Sequence, residues 1–186
     1  MNVEIDVSHV TLYTQRLTLR PWTMDDLADL YEYASVDGVG QMAGWTPHKS
    51  IEESREILQM FVNGKIEFAL EFNGKVIGSL GIAPYKEKEL PEFEKLRGRE
   101  LGFVLSKDYW GRGLMPEAVQ AVIKYLFEIV ALDFIVCGHF VENYQSQRAQ
   151  EKCGFKHYKL VEYTTRSGVV KDTWLSILYN PEFEDF

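Results

Sequence analysis

The stretch "YWGRGLMPEAVQAV", residues 109–122, places two glycines two positions apart, an arginine between them, and a proline just ahead of an apolar-periodic run. Ala118, Val119, Val122, Ile123, Leu126, Phe127 and Val130 recur at spacings of one, three and four, which predicts a helix with one buried face over about residues 116–130. A helix start leaves backbone N–H groups unpaired and carries a partial positive charge, so an anionic phosphate is stabilised there when the chain can approach it. Gly111 and Gly113 remove the side chains that would block that approach, Arg112 adds a formal charge, and Pro116 suits the first turn because it has no N–H to leave unsatisfied. Glycine pairs also make ordinary strand-to-helix turns, and the local pattern leaves both readings open. Two nucleotide motifs are excluded: there is no Gly-Lys-Ser/Thr of a P-loop, and no third glycine with a downstream acid at the dinucleotide-binding spacing.

Upstream, "ELGFVLS" at residues 100–106 is a strand, and before it "EFALEF" and "KVIGSLGI" are two strands joined by Asn73-Gly74, the dipeptide suited to a two-residue hairpin turn. "YKEKELPEFEKLRGRE", residues 85–100, mixes both charges and is expected to be a long, solvated connection. "RLTLRPW" at residues 16–22 alternates as a strand with one buried face. Thr23 with Asp26, and Ser50 with Glu53, mark the starts of two amphipathic helices. The loop between them, "VGQMAGWTPH" at residues 39–48, carries bulky apolar groups without periodicity, as pocket-lining loops do. Downstream, "DFIVCGHFV" is a strand, "ENYQSQRAQEKCGF" a short helix ended by Gly154, and residues 155–179 a closing hairpin turning at Ser167-Gly168.

With 186 residues and 46% hydrophobic side chains the chain is expected to fold as one domain over residues 1–186. Twenty-eight acidic against 20 basic residues give a net charge of -8, which argues against a nucleic-acid partner and suits an amine. The two cysteines, Cys137 and Cys153, are too few for a secreted disulfide scaffold, and no apolar run is long enough to cross a bilayer. With no signal sequence legible at the N-terminus, a cytoplasmic location and no membrane partner are expected.

Taken together, "RLTLRPW", "ELGFVLSKDYWGRGLMPEAV" and "ENYQSQRAQEKCGF" resemble the GNAT superfamily of acetyl-CoA-dependent N-acetyltransferases, most closely its RimJ/RimL-type branch of ribosomal-protein alanine N-acetyltransferases. The resemblance spans residues 16–179 and implies an α/β fold: a mixed, mostly antiparallel, splayed sheet with helices on both faces. It implies that the backbone of Gly111, Arg112, Gly113, Leu114 and Met115 holds the pyrophosphate of acetyl-CoA, and that Val104 and Leu105 pair with the pantetheine arm. Asn143 and Ser146 match the asparagine and serine that follow the fifth strand, and Lys152 in the closing "EKCGF" is placed with the cofactor. One departure is Asp108, where the superfamily pattern starts with Gln or Arg. The branch also implies a primary amine acceptor, peptide or small molecule, and includes homodimers.

Acetyl transfer needs an unprotonated amine, a polarised thioester carbonyl and stabilisation of the departing thiolate. Glu100 is the candidate base, acting through water; its alternative is a surface charge ending the run "RGRE". Ser146 is the candidate hydroxyl for the thiolate, its alternative being a helix cap. His139 titrates in the useful range and is placed at the substrate or, alternatively, as an ordinary strand histidine. Trp45 is placed in the acceptor pocket or in the core, and Trp110 beneath the cradle. His9, His48 and His157 lack partners at metal-ligand spacing, so no metal is expected, and neither thiol has the context of a nucleophile. The rival from another class is a non-catalytic acyl-CoA-binding sensor.

Overall fold

A computed structural model of the protein describes residues 1–182. The elements follow in the order β1 (Leu12–Tyr13), β2 (Thr18–Pro21), α1 (Leu27–Ala34), α2 (Ile51–Gly64), β3 (Glu67–Phe72), β4 (Lys75–Ala83), β5 (Gly98–Leu105), α3 (Leu114–Glu128), β6 (Phe134–Phe140), α4 (Tyr144–Lys152), β7 (Lys156–Thr164) and β8 (Val170–Tyr179). The strands form one sheet in the order β1-β2-β3-β4-β5-β6-β8-β7. Every neighbouring pair is antiparallel except β5 and β6, which α3 connects as a crossover.

Local chemistry sets the boundaries. Ser50 accepts a hydrogen bond from the Glu53 amide at the start of α2, and Thr23 and Asp26 form the capping box that leads through a short 3-10 turn into α1. Asn73 and Gly74 both have positive φ, 51° and 79°, as the tight hairpin between β3 and β4 requires. Helix α3 starts at Leu114, two residues before the predicted position, because Gly113 in the left-handed region at φ 73° serves as its cap.

Alternation along the strands divides the core between the two faces of the sheet. On one face Leu19, Leu70, Leu101, Leu105, Ile135 and Cys137 bury against α3 through Leu114, Ala118, Val119 and Val122. On the other, Ala69 and Val76 meet α1 and α2 through Leu30, Tyr33 and Leu58. Residues 85–97 correct the expectation of a solvated connection. Their charges face outward, but Tyr85, Leu90 and Phe93 are buried and pack with Phe134, Val136, Leu175 and Ile177 as a third apolar patch. The ring centroids of Tyr85 and Phe93 lie 5.1 and 4.7 Å from that of Phe134. Each such pair adds about 1 kcal/mol beyond its buried area.

One feature of the sheet positions the site. The parallel pairing of β5 and β6 runs from Gly98↔Phe134 to Leu101↔Cys137 and stops. Beyond it, Gly102 to Leu105 pair only with β4, and Gly138 to Phe140 only with β8, so the two strands diverge and each leaves an unpaired backbone edge.

Candidate active site

A cavity of about 600 Å³ occupies the divergence of β5 and β6 and extends to the start of α3. Its α3 end is made by backbone. Gly111 and Gly113 both have φ 73°; a Cβ on Gly111 would meet no heavy atom within 4 Å, and one on Gly113 would meet only Arg16, at 3.7 Å. The amides of Gly111, Arg112 and Gly113 donate to no group among the described residues. Three amides at a helix N-terminus, with open space in front of them, fit the pyrophosphate of a CoA cosubstrate. The Arg112 side chain leans away over the rings of Phe72 and Tyr109, at 5.1 and 5.4 Å, so only its backbone amide faces the open space. The loop is held from both sides. Trp110 Nε1 donates to the Leu105 carbonyl at 2.8 Å, and Arg16 donates to the Arg112 carbonyl at 2.9 Å while pairing with Glu117 of α3.

Val104 and Leu105 line the cavity from the unpaired edge of β5, with the Leu105 carbonyl already taken by Trp110. Met115 lines the same wall, and Lys152 reaches it from the last position of α4.

The middle of the cavity gathers Asn143, Ser146 and His139. Asn143 caps α4 by accepting from the Ser146 amide at 3.1 Å, and its Nδ2 donates to the Met42 carbonyl at 3.2 Å. The capping role thus falls to Asn143, and the Ser146 hydroxyl is left to face the cavity, where its oxygen accepts from Gln150 at 3.2 Å. His139 is buried, with Nδ1 3.2 Å from Gln150 Oε1, and burial pulls its pKa below the ordinary value. Cys137 is fully enclosed and its thiol is raised well above the ordinary range, while the Cys153 thiol is pushed up to about 11 by burial. Neither offers a thiolate at neutral pH.

Glu100 is not a surface charge. It lies on β5 opposite Val136, half-buried, with Oε1 3.7 Å from where a Cβ on Gly138 would sit, so it leans across the divergence. Its carboxylate accepts no hydrogen bond from the described residues. Burial raises its pKa to about 7, with Lys86 opposing and Glu89 reinforcing the shift.

The roof over the reacting end is the loop between α1 and α2. Met42 and Ala43 line the cavity, while Trp45 does not. Trp45 instead lies under Gly40, where a Cβ would run into its ring, and beside His48 at 5.2 Å. It shapes the roof from behind. Tyr163 and Thr173, from the β7–β8 hairpin, complete this end.

Three groups escaped the sequence reading. Gln150 lies four positions after Ser146 and seven after Asn143, hence on the same helix face, but a glutamine in a polar run gives no composition signal. Glu67 is a second half-buried carboxylate, lying over Gly81 where a Cβ would run into it. Its only sequence mark is an acid at the first position of a strand that carries a second one at Glu71. Tyr163 sits on an exposed-reading strand and reaches the site only through tertiary packing. Among the described residues, no three His, Cys, Asp or Glu side chains gather to hold a metal, and no helix is long and apolar enough to cross a membrane.

A mixed sheet that diverges at its one parallel pair, with a glycine-built helix start beside the opening, is the architecture of an acetyltransferase fold. Residues 16–156 match the family model described as the acetyltransferase (GNAT) domain, and the chain belongs to that family. The uncharacterized N-acetyltransferase p20 of Bacillus licheniformis is 28% identical over 182 residues, covering 93% of this chain and 98% of that protein. YoaA of Bacillus subtilis (strain 168), also an uncharacterized N-acetyltransferase, is 27% identical over 178 residues, covering 91% and 97%. Among solved structures, a GNAT-family acetyltransferase from Bacillus anthracis aligns with a TM-score of 0.80 at 22% identity, over 93% of this chain and 100% of that one. Mycobacterium smegmatis RimJ, in complex with CoA-disulfide, aligns with a TM-score of 0.75 at 20% identity, over 95% and 90%. These structural likenesses carry the fold.

Proposed function

We propose that the protein transfers an acetyl group directly from acetyl-CoA to a primary amine, either the α-amine of a peptide chain or that of a small molecule, in the manner of the RimJ/RimL-type branch. The observation that carries this reading is one cavity that an amide-lined cradle closes at one end and that Glu100, leaning toward Gly138, and Ser146 both line.

Bound acetyl-CoA supplies the thioester, its pyrophosphate on the amides of residues 111–115 and its pantetheine arm along Val104 and Leu105. Glu100 takes the proton from the acceptor ammonium, through water. The freed amine attacks the acetyl carbon, so that a C–N bond forms as the C–S bond breaks. Ser146 presents its hydroxyl proton to the departing sulfur and is restored by the second proton that the nitrogen sheds as the amide forms, so that CoA leaves as the thiol. No protein thiol takes part.

The value of about 7 for Glu100 bears on the acceptor. Deprotonating an α-amine with pKa near ~7.8 costs about 1 kcal/mol at pH 7, whereas a lysine near ~10.4 costs roughly 4.6 kcal/mol. A carboxylate poised near neutrality suffices for the first and is a weak base for the second. We therefore favour an α-amine or similarly weak amine over a lysine side chain.

The test is incubation with acetyl-CoA and a panel of peptide N-termini, amino acids, polyamines and aminoglycosides, recording thiol release and product mass. Amine-dependent release with an added acetyl mass is expected. Tight CoA binding with no transfer to any of them would overturn the enzymatic reading in favour of a sensor module.

A further inference from the structure

Gln150 is 1% exposed and makes three side-chain contacts in the wall between α4 and β6. Its amide nitrogen lies 3.1 Å from the Gly138 carbonyl and 3.2 Å from Ser146 Oγ, and its amide oxygen 3.2 Å from His139 Nδ1. These contacts fix the direction of every proton in the group. A backbone carbonyl only accepts, so the atom facing Gly138 must be the NH₂ of the glutamine; turning the amide over would set two oxygens against each other. The NH₂ has two protons, one for Gly138 and one for Ser146. An amide nitrogen does not accept, so Ser146 Oγ is the acceptor in its pair, and its own proton goes to no described residue. The glutamine oxygen in turn only accepts, so His139 must carry its proton on Nδ1. Its Nε2 is then a bare lone pair, and that atom is buried, without a partner among the described residues, in a side chain that lines the cavity.

We propose that Gln150 is a positioning residue that orients the Ser146 hydroxyl as a hydrogen donor toward the cavity and holds His139 as the Nδ1–H tautomer, with its buried Nε2 left unprotonated. The assignment of Ser146 to the leaving sulfur rests on the acetyl-transfer reading; the tautomer does not. Without the glutamine N–H, no described residue donates to the Ser146 oxygen, and nothing holds the hydroxyl with its proton directed into the cavity. Burial lowers the His139 pKa and outweighs the hydrogen bond to Gln150, which raises it; the His157 ring 5.1 Å away acts with burial and Glu151 against it, so the ring is neutral at neutral pH. His157 itself is stacked on Trp174 at 4.7 Å. A neutral His139 with the proton on Nδ1 is the less common imidazole form, which makes its presence diagnostic.

Two measurements test this separately. Long-range ¹H–¹⁵N spectra of the ligand-free protein at neutral pH, with His139 assigned through His139→Asn, should show a protonated Nδ1 and a bare Nε2. A protonated Nε2 would overturn the proposal whether or not the protein acetylates anything. In turnover assays, Gln150→Leu should lower kcat about tenfold, in the range of a lost hydrogen bond to a reacting group, with KM for acetyl-CoA changed by less than about twofold. The same substitution placed in Ser146→Ala should cost nothing further, because there is no hydroxyl left to orient. Equal, additive losses in the two backgrounds would make Gln150 a packing residue only.

Discussion

At the α3 end of the cavity, Gly111, Gly113, Leu114 and Met115 of one short stretch line the wall; at the roof end, Met42, Glu100, Tyr163 and Thr173 arrive from separate parts of the fold. The first needs only two glycines in the left-handed region and a helix that starts on the second. The second exists only once the sheet has diverged, the α1–α2 loop has closed over it and the β7–β8 hairpin has been added. A site made of backbone is specified by a short contiguous stretch and recognises what all users of the fold share. A site made of dispersed side chains is specified by the whole tertiary structure.

The comparison breaks most easily at the glycines. Gly111→Trp, which fills the space before the amides and strains a residue at φ 73°, should weaken acetyl-CoA binding by more than about 100-fold in calorimetry while leaving the melting transition cooperative. An unchanged Kd would move the cofactor elsewhere. Next in size, Glu100→Gln should leave that Kd within about twofold and lower kcat by about 100-fold, the usual worth of a positioned base. In the wild type, kcat at saturating acceptor should rise with pH through about 7, as the carboxyl raised by burial ionises, and then level off. Persistence of that limb in the glutamine variant would assign it to another group.

The smallest effect separates burial from chemistry. Glu67 shares the face of the sheet with Glu100 but lies outside the cavity lining, and burial pushes its carboxyl up to about 8. A folded-state value above the unfolded one costs nothing below about 4.5, where both states are protonated, and costs progressively more as pH rises through about 8. Glu67→Gln should therefore raise Tm relative to wild type at pH 9, by a few degrees, and leave it unchanged at pH 4. Equal shifts at both pH values would show that the carboxyl is not buried as an acid.

What the sequence disclosed follows the same division. Asn73-Gly74, Ser50 with Glu53, and Gly111 with Gly113 are local devices whose geometry is decided within four residues, and each stands where it was expected. Strand β1, two residues long, exists through the pairing of Leu12 with Leu19 and had no periodicity to show. Residues 85–97 concealed Tyr85, Leu90 and Phe93 among charges, because what buries them is Phe134, far along the chain. At the site, Asn143 and Ser146 were found through a motif, and Glu100 through its place before the cradle. Gln150 was not, since its importance lies entirely in which three atoms surround it.

Beside the side-chain contacts of Gln41, Trp45 and His48, the inner part of the roof loop is held through its main chain: Asn143 Nδ2 donates to the Met42 carbonyl, the Arg166 amide to the Gly44 carbonyl, and the Trp45 amide to the Gly40 carbonyl. Any amino acid at position 42 or 43 presents the same carbonyl. The exposed Met42 and Ala43 side chains, unlike the buried Val39 that lines the cavity beside them, can therefore be exchanged without breaking those main-chain bonds: that part of the loop is a replaceable cartridge on a fixed mount.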